Sequence, residues 1–308
     1  PAHTDNFQAS SNNWQDRIMH NQLPRIPRVG VIGGSGTYTL PGATVQAVVD
    51  VDTPFGRPSG PLTFAEVAGQ TVAFLPRHGG EHSLPPQKIN YRANLWALKS
   101  VGVEAVFSSS AVGGLREGFG PGTFVVTDQL IDRTWGRDDT FFDGSTPDGA
   151  ASAGVQHLPA SDPFCPTLRS HLHAALDQLQ LPSAPQGTVV VINGPRFSTR
   201  AESQWYVSGG ADIISMTQYP EPVLAAELNM GFANLAFVTD SDTGHDGSEP
   251  VTAEAVFARL KHAQGNVLAI LETAVAAVGA DYAARPLMDP EAVRRIMALP
   301  PVSPAAGL

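Results

Sequence analysis

The sequence predicts an α/β fold, a single domain with a central mixed β-sheet flanked by helices. Short apolar runs alternate with amphipathic segments along most of the chain, the pattern of a sheet buried between helical layers. At 308 residues and 42% hydrophobic, the chain can build a substantial core, and α/β domains of this length are often undivided. No internal repeat breaks the pattern.

Residues 1–27, rich in Asn, Gln, Asp and Ser and ending in Pro24 and Pro27, lack apolar periodicity and read as a mobile lead-in. Strands are expected near Val29–Ile32, Val72–Leu75, Ala105–Ser108, Phe124–Val126, Val189–Ile192, Ile213–Met216 and Leu235–Val238, each a short apolar run. Helical periodicity falls at Tyr91–Ser100 before Gly102, Thr167–Leu179, Pro220–Met230 before Gly231, and Thr252 to about Val278. Between Arg137 and Ala160, Gly, Asp and Ser dominate, predicting a long surface loop of the kind that is often functional. The folded domain spans 28–285, and the tail 286–308 carries one short helical pattern, DPEAVRRIMAL.

A formal charge of −10 without a Lys/Arg cluster argues against nucleic-acid partners. The lone Cys165 forms no intramolecular disulfide, and no Cys/His spacing marks structural zinc, so a reducing cytoplasm fits. A polar N-terminus and the lack of an apolar run of ~18 residues predict a soluble, unexported protein without membrane contact.

Chemistry-bearing residues sit just after the predicted strands. VGVIGGSGTYTL sets Gly33, Gly34 and Gly36 around Ser35, where backbone N–H groups and a hydroxyl suit an anion; a plain tight turn is the alternative, since neither a dinucleotide fingerprint nor a P-loop is present. RHGGEHSLPP brings Arg77, His78 and His82, a clamp for an oxyanion or a surface ion pair with turn-capping histidines. FSSSAVGGL offers Ser108, Ser109 and Ser110, either as phosphate donors or bonded to nearby backbone. NGPRFSTRAES puts Phe197 at a strand-to-helix junction, where a ring stacks on a heterocycle or packs in a core. IISMTQYPE brings Met216 and Thr217 to another strand end.

VTDSDTGHD places Asp240 and Asp242 two apart after a buried strand. An EF-hand starting at Asp240 fails, because His245 and Val251 stand where Gly and Glu are required. A Mg²⁺ pair, solvated loop acids, and a carboxyl pair reading an amino group beside a ring nitrogen remain open.

Taken in order, GGSG, RHG with His82, INYRANLWALK, DQLIDRT, TFFDG, DPFCP, NGPRFSTRAES, SMTQYPE and VTDSD resemble the trimeric purine nucleoside phosphorylases from about Val29 to Val278. The resemblance implies that fold, a homotrimer, and phosphorolysis of 5′-methylthioadenosine to adenine and 5-methylthioribose 1-phosphate. Inorganic phosphate would be a co-substrate, with no cofactor and no metal. Carried over, Ser35, Arg77, His78, Ser110, Ala111 and Thr217 form the phosphate site, Ala111 through its backbone N–H. Met216 lies against the ribose, and Phe197 and Ser198 fall in the base pocket.

Asp240 and Asp242 match the pair that reads adenine, the 6-oxopurine branch having Asn at the position of Asp240. Ala253, Val256 and Phe257 line the 5′ end, although Ala253 is smaller and Phe257 larger than the family's usual aliphatic residues. His157 matches a residue that enters a neighbouring subunit's pocket, and the polar segment from Thr243 to Pro250 is a candidate gate. Rival readings are a phosphorylase for 5′-deoxy- or 5′-halo-adenosines, a 6-oxopurine phosphorylase, a noncatalytic nucleoside binder, and a metal hydrolase built on Asp240, Asp242, His245 and Asp246.

Overall fold

The strands β1 (Val29–Gly33), β4 (Gln70–Pro76), β5 (Ala105–Gly114) and β11 (Gly231–Asp240) form the parallel heart of one mixed sheet. The computed structural model describes residues 26–35, 37, 43–144 and 154–302. Every residue of β1 is buried, as expected of a strand covered on both faces. An antiparallel hairpin, β2 (Thr44–Val49) and β3 (Leu62–Val67), extends the sheet beyond β4. Beyond β5 follow β10 (Ile213–Ser215), β9 (Thr188–Ile192) and β7 (Gln129–Arg133), while β6 (Phe124–Val126) and β8 (Ser183–Ala184) continue from β11.

Alternation of side chains along the strands builds a core on each face. Ile32, Phe64 and Leu75 pack with Leu95 and Trp96 of α1 (Tyr91–Ser100), Leu224 of α4 (Glu221–Glu227) and Ile296 of α6 (Pro290–Met297). Val29, Val31 and Phe107 pack on the other side with Leu172 of α2 (Pro166–Gln178) and Leu271 of α5 (Ala253–Ala276). A further helix, α3 (Arg200–Ser208), starts on a capping box in which Thr199 and Glu202 exchange side-chain and backbone hydrogen bonds.

All seven expected strands and all four expected helices are present, and the tail pattern forms α6. That helix is docked rather than trailing: Ala292, Val293 and Ile296 are buried, and Trp96 Nε1 donates to the Ile296 carbonyl at 3.2 Å. The lead-in lies outside the described residues except for Ile26 and Pro27, as do Gly36, residues 145–153 of the long loop and residues 303–308. Among the described residues no helix is long and apolar enough to cross a membrane.

The segment from Arg137 to Asp143 has no regular structure but is pinned, with the Phe141 ring 1% exposed. Glu227, buried at the end of α4, accepts from Thr140 Oγ1 and from the Phe141 N–H, both at 2.7 Å. Burial pushes its carboxyl up to about 7 against the pull of those two bonds. The folded chain therefore holds a proton that the unfolded chain releases, so this group's contribution to stability is full below about pH 4.5 and is lost as pH rises through about 7. Glu227→Gln is expected to flatten that part of the curve of urea midpoint against pH. A variant curve parallel to that of the wild type would contradict the assignment.

Candidate active site

The C-terminal ends of β1, β4, β5, β9, β10 and β11 and the first turn of α5 line one cleft of about 220 Å³. Strand ends leave backbone and side chains unpaired by the sheet, which makes them the usual place for a ligand in an open α/β sheet. Of the residues singled out from the sequence, Ser35, Arg77, Ser110, Ala111 and Thr217 share this cleft with Phe197, Ser198 and Met216. Asp240, Asp242, Ala253, Val256 and Phe257 complete it.

Arg77 is fully buried behind the Ser35 and Ser110 end. Its Nε and Nη2 donate to the two carboxylate oxygens of Glu221 at 2.5 and 2.8 Å, and Nη1 donates to the Ser109 carbonyl at 2.7 Å. Burial alone would lower the guanidinium's pKa, but Glu221 outweighs it and the net shift is upward. Three of the five N–H groups of a guanidinium are thus committed, leaving one on each terminal nitrogen. Gly34 makes this approach possible: a Cβ there would lie 2.2 Å from the Ser109 carbonyl oxygen and 2.8 Å from Arg77 Nη1. In the same corner the Gly34 N–H donates to Ser109 Oγ at 3.2 Å.

His78 does not line the cleft. It is buried, Nδ1 donates to the Leu84 carbonyl at 2.9 Å, and burial followed by the Arg77 charge lowers it to about 3, so it is neutral. His82 faces the cleft instead, stacked on His78 at 4.1 Å and meeting the Phe257 ring edge-on at 5.5 Å. Burial lowers His82 as well. This part of the cleft is therefore aromatic, and it adjoins Ala253 and Val256 on the first turn of α5, which starts where Thr252 caps the Ala255 N–H.

At the far end the β5–β11 ladder shifts register between Val238 and Asp240, bringing Asp240 opposite Gly113. A Cβ on Gly113 would stand 2.9 Å from Ile214 Cγ2, 3.0 Å from Asp240 Oδ1 and 3.4 Å from Asp242 Cβ, so any larger residue would crowd Ile214 and the Asp240 carboxyl. Asp240 Oδ2 accepts from Thr239 Oγ1 at 2.7 Å and Oδ1 from the Asp242 N–H at 2.9 Å. Asp242 takes a left-handed backbone, φ 50°, tolerated by Asp better than by most residues, and its carboxylate accepts from Ser203. Burial raises both carboxyls, more than these bonds lower them; the Asp242 charge adds a smaller push on Asp240. Burial rather than like-charge repulsion is the main cause.

Phe197 stands 40% exposed at the rim beside Ser198, whose buried Oγ finds no partner among the described residues. The acids of the metal-hydrolase reading do not converge: His245 Nε2 contacts the Gly114 carbonyl and Asp246 accepts from Ser241 and Ser248. Among the described residues no group of three or more His, Cys, Asp or Glu is placed to hold a metal. His157 is exposed and lines no part of this cleft.

The model of the phosphorylase superfamily matches residues 28–276. S-methyl-5′-thioadenosine phosphorylase of Mycolicibacterium smegmatis is 52% identical over 234 residues, which cover 76% of this chain and 84% of that protein. A protein named purine nucleoside phosphorylase from Streptomyces coelicolor is 47% identical over 82% of this chain and 89% of its own. Among solved structures, methylthioadenosine phosphorylase from Schistosoma mansoni in complex with adenine superposes with a TM-score of 0.78 at 37% identity, covering 89% of this chain and 97% of that one.

Proposed function

This chain belongs to the phosphorylase superfamily, and from that premise we propose that it cleaves 5′-methylthioadenosine with phosphate, giving adenine and 5-methylthioribose 1-phosphate. The observation that carries the reading is the set of chemistries gathered in one cleft. Arg77 with the hydroxyls of Ser35, Ser110 and Thr217, then Met216, the acids Asp240 and Asp242, and the apolar first turn of α5 all line it.

Phosphate held by the two open N–H groups of Arg77, Ser35, Ser110, Thr217 and the Ala111 N–H attacks the anomeric carbon. A new C–O bond forms as the C–N bond to adenine breaks. Negative charge fixed under the developing oxocarbenium ion lowers its energy without further reorganisation. The departing electron pair moves into the purine, and Asp240, its carboxyl pKa raised by burial, delivers a proton to N7. Asp242, held by Ser203, accepts from the 6-amino group, and Phe197 covers the base. Ala253, Val256 and Phe257 receive the methylthio group. No cofactor takes part.

In this reading the enzyme is a homotrimer in which His157 serves a neighbour's 5′ pocket. The exposed side chains of Trp135 and Val155 support an interface near that loop. A single buried thiol, Cys165, accords with a cytoplasmic home. The 6-oxopurine reading is disfavoured by an acid at position 240 rather than an amide.

Chromatography of adenine released from 5′-methylthioadenosine, with and without phosphate and beside inosine and 5′-deoxyadenosine, tests the proposal. Phosphate-dependent release with inosine untouched is expected. Release without phosphate, or faster cleavage of inosine, would overturn it.

A further inference from the structure

Asn234 lies in the middle of β11, inside an unbroken run of buried residues, and is itself 0% exposed. Its register partner across the ladder is Ser108. Nδ2 donates to Ser108 Oγ at 2.7 Å and to Ser110 Oγ at 2.9 Å, while Oδ1 has no partner among the described residues. A buried amide with an unmet acceptor costs stability, and an apolar side chain of similar shape would pack there without that cost.

The two serines differ in what lies beyond them. Ser108 is fully buried, whereas Ser110 lines the cleft beside Ser35 and Arg77. A hydroxyl carries one proton and two lone pairs, so an oxygen that accepts from the amide keeps its proton for another acceptor. Ser110 also opens on a small second void of about 10 Å³, too small for phosphate, so the cleft is where it can meet one.

We propose that Asn234 is a positioning residue which, by donating to Ser110 Oγ, aims the Ser110 proton at an oxygen of bound phosphate. The inference rests on the phosphate end of the cleft argued above. An amide serves where an acid would not, because a carboxylate at this depth would draw the serine protons inward.

Isothermal titration of inorganic phosphate into the full chain, alone and as the Asn234→Leu, Ser110→Ala and combined variants, tests this without requiring turnover. Asn234→Leu should weaken phosphate binding about tenfold, as for loss of a well-aimed hydrogen bond to a charged group. Ser110→Ala should match it, and the combined variant should be no weaker than Ser110→Ala. The denaturation midpoint of Asn234→Leu should not fall, and the KM for nucleoside should hold. If Asn234→Leu does not fold, Asn234→Ser carries the same expectations for phosphate. Wild-type affinity in either variant, or additive losses in the combined one, would overturn the role of Asn234 while leaving the phosphate site standing. Absence of phosphate binding by the wild type would overturn both.

Discussion

Arg77→Met should abolish phosphorolysis and lower stability by about 3–5 kcal/mol, because it leaves the Glu221 carboxylate buried without its partner. The Glu221 side chain is only 1% exposed, so its charge, once orphaned, cannot be solvated where it stands. The two losses have different origins and can be separated. Arg77→Met combined with Glu221→Leu removes the orphaned charge and should recover most of the midpoint in urea, yet it should bind phosphate no better than the single variant. A double variant that regained phosphate-dependent adenine release would show that Arg77 is structural only.

Asp240→Asn should cut kcat/KM for 5′-methylthioadenosine by about 10²–10⁴-fold, the usual worth of a general acid, and should raise the relative rate on inosine. The pH signature follows from the direction of the shift. The protonated carboxyl is the active form, so the wild-type rate should fall as pH rises through the raised pKa of Asp240, and the variant should lack that limb.

Stability should not fall with activity in this variant. A raised folded-state pKa contributes stability that is full below the unfolded value and lost as pH rises through the folded one, so above the raised pKa the ionised acid is a burden. Asp240→Asn should therefore lose activity without losing stability there. Pre-steady-state rates across pH, paired with thermal midpoints, check both halves; an unchanged base preference would remove the base-reading role.

The central strands were legible because burial on both faces makes them nearly continuous apolar runs, as in VGVIG and GFANLAFVTD. β2 and β3 were not, since β2 leaves Val45 and Val48 exposed at the sheet edge and has no clean alternation. Within the site, residues that follow strand ends in recognisable motifs could be named from the sequence. Their supports could not be. Glu221 lies 144 positions from Arg77 and looks like an ordinary acid opening a helix, and Asn234 looks like a polar interruption in a strand. Which histidine of RHGGEH faces the cleft depends on the left-handed turn at His82, φ 59°, a matter of backbone geometry that spacing does not report.

The docking of α6 bears on how the chain is made. Ile296 accepts from Trp96, the Val302 N–H donates to the Thr53 carbonyl, and Leu299 closes over the same core as Leu62 and Leu95. During synthesis the surface around Trp96 stays uncovered until the ribosome has passed Leu299, long after the strands beside it have emerged. Such late, long-range closure slows folding and leaves an adhesive apolar face on the nascent chain. A ribosome stalled before α6 should hold a chain that binds chaperones and is cut by proteases, while release of the full chain should end both.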